Sequence, residues 1–128
     1  MQLMIEVSPG ELIDKLTILE IKLREISDKG KLANVKLEYD LLAQALDAEV
    51  APTASLAALQ AELKAVNEAL WKIEDDIREQ ERRQDFGPEF IRLARAVYRT
   101  NDVRARLKRQ INELLNSSIV EEKAYASY

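Results

Sequence analysis

The chain has 128 residues, of which 47% are hydrophobic and 33% charged, with three Gly, three Pro and a net charge of −4. That length supports one domain with its own core, and so few Gly and Pro favour long helices over many short strands. The absence of Cys and His excludes thiol chemistry, disulfides, imidazole acid–base catalysis and the usual zinc-ligand sets.

In Met1 to Val7, the spacing of Leu3, Ile5 and Val7 predicts a short extended segment. The segment has neither the basic start nor the long apolar run of a signal peptide, and no apolar run reaches membrane-span length. A cytoplasmic protein is expected. Ser8 then reads as an N-cap, Pro9 as the first helical residue and Glu11 as the reciprocal partner of a capping box. Along the helix that follows, Leu12, Leu16, Leu19, Leu23 and Ile26 share one face, while Ile13, Thr17, Ile18 and Ile21 occupy the other. Such a two-sided helix belongs at the centre of a bundle or at a dimer contact. Glu11 with Lys15 and Glu20 with Arg24 have the spacing of surface pairs.

Ser27 to Gly30 is read as the end of this helix, with Gly30 just past the C-cap. A second helix is predicted from about Lys31 to Ala48, with Leu32, Val35, Tyr39, Leu42 and Leu46 inward and Leu37 and Leu41 opposite. A third, from about Ser55 to Arg83, repeats Leu59, Leu63, Val66, Leu70, Ile73 and Ile77 at alternating steps of four and three, the seam of a helical hairpin. After a turn at Asp85 to Pro88, a fourth runs from about Pro88 to Leu115 with Phe90, Ile91, Leu93, Ala94, Val97, Tyr98, Leu107, Ile111, Leu114 and Leu115 on its apolar face. Ser118 and Glu121 predict a short last helix. The expected fold is therefore all-α: one antiparallel bundle of about four helices over residues 1–128, with a long hairpin of helices 3 and 4 and a short C-terminal helix.

Residues 92–109 carry a net charge of +6, leaving −10 for the remainder. Arg92, Arg95, Arg99 and Arg106 fall on the outer side of the fourth helix and could touch phosphate backbones or anionic lipid, but ordinary solvation with acidic neighbours is the preferred reading, and nucleic-acid binding would want interleaved exposed aromatics or a recognisable module. Asn101, Arg104 and Lys108 instead interrupt the apolar face. A hairpin brings them level with Asn67, Trp71 and Glu74, and these six form the candidate ligand-binding layer. Two readings stay open, because charges on a core-facing stripe need partners or a wet cavity. In one, Arg104 pairs with Glu74 or Glu68 and Lys108 extends its head to water. In the other, Arg104 and Lys108 line a pocket for an anionic small molecule. Glu74, Asp75 and Asp76 spread around their helix, so no metal site is expected, and no cofactor motif or catalytic residue is found.

The segments Val7 to Lys22, Leu63 to Asp75, Ala94 to Asp102 and Asn116 to Tyr125 carry a resemblance that spans nearly the whole chain. It resembles a small bacterial all-helical family, a domain of unknown function, whose opening motif reads V-S-P-G-E-L-I-D-K-L-T-I-L-E-I-K. The resemblance implies a helical fold, a bacterial origin and an accessory role beside sugar-transfer or surface-polysaccharide proteins; it implies no reaction. The leading expectation is a non-enzymatic interaction or accessory module acting as a homodimer, with Ile13, Thr17, Ile18, Ile21, Leu37 and Leu41 as interface candidates and a further protein partner open. The alternative is a small helical enzyme or sensor for an anionic metabolite, similar in size and charged interior to the all-helical chorismate mutases.

Overall fold

A computed structural model describes residues 1–128 as four helices: α1 Pro9–Glu25, α2 Lys29–Glu49, α3 Ala54–Arg82 and α4 Pro88–Leu114. No helix is long and apolar enough to cross a membrane. Each of the first three helices starts on a side-chain cap: Ser8 accepts from Glu11 N, Asp28 from Lys31 N and Thr53 from Leu56 N. These caps satisfy backbone donors that would otherwise lack partners in the first turn.

Two helix ends are closed by backbone geometry. Gln84 and Asn116 take the left-handed conformation, at φ 55° and 53°. After α3, Gln84 N donates to Glu81 O and Asp85 N to Gln80 O; after α4, Asn116 N donates to Glu113 O and Ser117 N to Asn112 O. Both are Schellman closures, which turn the chain sharply while satisfying the last carbonyls.

The largest helix contact is the α3–α4 hairpin, and α1 packs on all three other helices. Both faces of α1 are consequently buried: Leu16 and Leu19 on one, Ile13, Thr17 and Ile21 on the other. The main cluster joins Ile13, Leu56, Leu63, Leu107 and Ile111, with Leu46, Val50, Leu59, Val66, Val103 and Leu115 against it. By contrast, α2 packs chiefly on α1 and buries only Val35.

Three expectations are corrected. Gly30 does not follow a C-cap; α1 has already ended at Ile26, and Asp28 starts α2 with Gly30 inside its first turn. No helix follows α4. Ser117 Oγ instead donates to Ile119 O and accepts from Ile119 N, and the tail is held along α4 by side-chain contacts rather than by a ladder of its own. On α4, Ile91, Tyr98 and Leu114 are exposed although their spacing placed them inward. At 100° per residue Ile91 and Tyr98 stand about 160° and 140° round α4 from the buried Leu93 and Ile111, and Leu114 is the last residue of the helix.

Candidate functional site

Where α1, α3 and α4 meet, the apolar core is interrupted by a polar network. Asp14 is its centre, 1% exposed, one turn after Gly10 and one before Thr17 on the inner edge of α1. Arg104 on α4 donates from Nε to Asp14 Oδ1 at 2.9 Å and from Nη2 to Oδ2 at 2.5 Å. Asn67 on α3 donates from Nδ2 to Asp14 Oδ1 at 2.9 Å and to Thr17 Oγ1 at 2.8 Å, while the Thr17 hydroxyl donates to Asp14 O at 2.7 Å. Three helices thus share one buried carboxylate. Hydrogen bonding to Asp14 is the main reason the Arg104 guanidinium is pushed above its ordinary pKa, against the opposing pull of burial.

One turn towards the C-terminus of α4, Lys108 is buried and lies 2.6 Å from Glu11 Oε2 and 2.9 Å from Glu121 Oε2. Burial pulls the Lys108 pKa down, but the hydrogen bonds to Glu11 and Glu121 outweigh it and leave the value raised. A further turn on, Asn112 Oδ1 accepts from Gly10 N at 2.7 Å. A Cβ on Gly10 would lie 2.5 Å from Lys108 O, so this crossing requires a glycine.

The C-terminal tail runs back along the outer side of the network. Arg109 pairs with Glu122, Lys123 Nζ donates to Asp102 Oδ1 at 2.7 Å, and the Tyr128 hydroxyl donates to Asp102 Oδ2. The Tyr128 ring meets Tyr98 edge-on at 5.2 Å between centroids. Between tail and α4 lies an open groove of about 1350 Å³, with Glu11, Asn101, Arg104 and Lys108 on its floor.

Of the six ligand-binding candidates, the structure brings Asn67, Asn101, Arg104 and Lys108 to this region. Asn101 Oδ1 accepts a long contact of 3.4 Å from Arg104 Nη1. Glu74 pairs with Arg78 on its own helix, and Trp71 is half-buried outside the hydrogen-bonded set. Arg104 meets neither Glu74 nor Glu68; Glu68 pairs with Arg24 at 3.4 Å. Lys108 does not extend to water. Glu11 and Glu20 also leave their expected same-helix partners, for Lys108 and for Lys64 at 3.0 Å. Among the interface candidates, Ile13, Thr17 and Ile21 are sealed inside the chain's own bundle at 1%, 4% and 1% exposure, and Ile18 is half-buried; Leu37 and Leu41 remain exposed.

The residues that reading by sequence missed are Asp14, Glu11 in its role towards Lys108, Gly10, Asn112 and Glu121. A signal existed for Asp14: Gly10, Thr17 and Ile21 stand at i−4, i+3 and i+7 from it, which places a carboxylate on a stripe that is otherwise small or apolar. Chemically, the half-buried Arg104 and the buried Lys108 are both matched by carboxylates, and no three acidic side chains converge as a metal-ligand set.

A family model described as a family of unknown function, DUF6165, matches residues 3–128. No curated protein and no solved structure matches the chain significantly.

Proposed function

The chain belongs to the DUF6165 family of unknown function, and from the geometry of its bundle we propose that it is a non-enzymatic helical interaction module working as a homodimer. The observation that carries this reading is the surface. A folded 14.6 kDa monomer exposes roughly 6,900 Å² by the usual scaling, whereas this chain exposes 9102 Å². The elongated hairpin and the two chain ends account for part of the difference. Large apolar side chains are among the exposed groups: Leu3, Met4, Ile5 and Val7 before α1, and Leu37 and Leu41 on α2. Only 17 of the 128 residues are buried, so this bundle is thin for its length and gains from covering those positions.

The polar network supports the non-enzymatic half of the proposal. A pocket for an anionic metabolite needs free cations, and Arg104 and Lys108 are occupied by Asp14, Glu11 and Glu121. These groups are placed to fix the packing of α1 on α3 and α4. Light scattering on the purified chain across micromolar concentrations tests the reading. The expected mass is twice 14.6 kDa, and a strict monomer throughout overturns it.

A further inference from the structure

We propose that two copies meet through α2, antiparallel, about a twofold axis level with Tyr39; this placement rests on the homodimer reading above. At 100° per residue, Gly30, Asn34, Leu37, Leu41, Gln44 and Ala48 form one stripe of α2, with alternating steps of four and three. That is the spacing of a coiled-coil seam. All six are exposed, Leu37 at 61% and Leu41 at 47%. The opposite edge of the helix faces α1, where Val35 is buried and the Tyr39 hydroxyl donates to Glu20 Oε1 at 3.5 Å. The stripe therefore points away from its own bundle.

Its order is palindromic about Tyr39: small, polar, large, large, polar, small. Reversing a second α2 against it sets Leu37 level with the partner's Leu41, Asn34 with the partner's Gln44 and Gly30 with the partner's Ala48. Two leucines from each copy then fill the centre, an amide pair flanks them on either side, and small residues let the helix ends approach. The seam spans 18 steps of the helix, about 27 Å at 1.5 Å per residue.

Charge selects the same orientation. Within α2, Lys29, Lys31 and Lys36 precede Glu38, Asp40, Asp47 and Glu49. The one ion pair internal to α2 joins Lys36 to Asp40 at 3.4 Å, which leaves Lys29, Lys31, Asp47 and Glu49 available. Antiparallel pairing brings Lys31 to the same flank of the seam as the partner's Glu49, and Lys29 to that of the partner's Asp47. Parallel pairing sets like charge beside like. The unfavourable meetings are Glu38 with the partner's Glu38 and, on the other flank, Asp40 with the partner's Asp40; Lys36 offsets the second, and both lie on outer flanks where solvent and salt screen them.

Disulfide mapping tests orientation and register together, because the chain has no cysteine of its own. Asn34→Cys mixed with Gln44→Cys is expected to oxidise to a covalent dimer, while either variant alone stays uncrosslinked. Identical positions are offset by about 15 Å along the antiparallel pair, beyond disulfide reach. Leu37→Glu with Leu41→Glu is expected to weaken self-association at least a hundredfold, on the order of two hot-spot losses, with the helical circular dichroism unchanged. Crosslinking of each single variant as readily as the mixture overturns the antiparallel register. A wild-type dimer that neither crosslinks in the mixture nor dissociates in the glutamate variant overturns the α2 interface and leaves the homodimer reading standing. A wild-type monomer overturns both.

Discussion

Arg104 closes on Asp14 across 90 positions of sequence, two parallel hydrogen bonds onto a carboxylate that is 1% exposed. A fork-on-fork contact of this kind fixes both the distance and the axial offset of two helices, because either oxygen loses its donor if the helices slip. Breaking one side of such a pair strands a buried charge. Arg104→Ala is expected to lower unfolding free energy by about 3–5 kcal/mol, read by urea denaturation. Asp14→Leu combined with Arg104→Met should recover most of that loss, since apolar groups of similar volume leave no charge in the core.

Alkaline pH is expected to loosen the bundle through Lys108. Its folded pKa is raised above the ordinary lysine value of 10.5, so the stability it contributes is complete below that value and is lost as pH climbs through the raised one. Unfolding free energy measured from neutral to strongly alkaline pH should fall less steeply in Lys108→Met than in the wild type. Equal slopes would remove Lys108 from this role.

Gly10→Ala places a methyl 2.5 Å from Lys108 O and 2.8 Å from Asn112 Oδ1. One contact is backbone, so the first turn of α1 must move and the Gly10 to Asn112 hydrogen bond is strained. A loss of about 1–3 kcal/mol is expected, visible as a lower melting temperature. The same change at Gly30 meets only Asp28 Oδ2 at 3.4 Å and is expected to leave the melting temperature of the isolated chain unchanged or slightly higher.

Deleting Glu121 to Tyr128 removes one of the two carboxylates on Lys108 and uncovers the groove floor. Faster amide exchange along Asn101 to Lys108, with the α3–α4 core still protected, is the expected signature. Acid should release the intact tail in the same way. The Asp102 carboxyl is held below its usual value by hydrogen bonds from Lys123 and then Tyr128, so its contribution to docking is complete above a pH of about 3.8 and is lost as pH falls through the lowered value. Limited proteolysis after Ser118 by an acid-active protease tracks that release.

Much of the architecture was legible because it follows from local rules. Ser8 and Pro9 announce α1, although the Glu11 side chain goes to Lys108 instead of returning to Ser8 N, and the four–three spacing from Leu59 to Ile77 announces the long hairpin. What local rules do not encode is which charge finds which partner. Glu11 stands four residues before Lys15 and Arg104 lies level with Glu68, and both were plausible neighbours on spacing alone. The partners observed come from α1 crossing α4, a relation no periodicity contains. The tail was misread for a related reason: Ser118 and Glu121 fit a capping box, but Glu121 is drawn to Lys108 and Tyr128 to Asp102. Those contacts favour an extended strap over a helix.

The bond from Gly10 N to Asn112 Oδ1 also bears on the order in which this molecule is made. The first helix leaves the ribosome with a donor whose acceptor lies 102 residues downstream, and with a carboxylate at Asp14 whose guanidinium follows 90 residues later. Until nearly all of the chain has been synthesised, α1 has only α2 and α3 to pack against, and Ile13 lacks its contacts with Leu107 and Ile111. Nascent chains stalled before Arg104 therefore lack the guanidinium for Asp14 and the acceptor for Gly10 N, and the polar network closes only once α4 has been released.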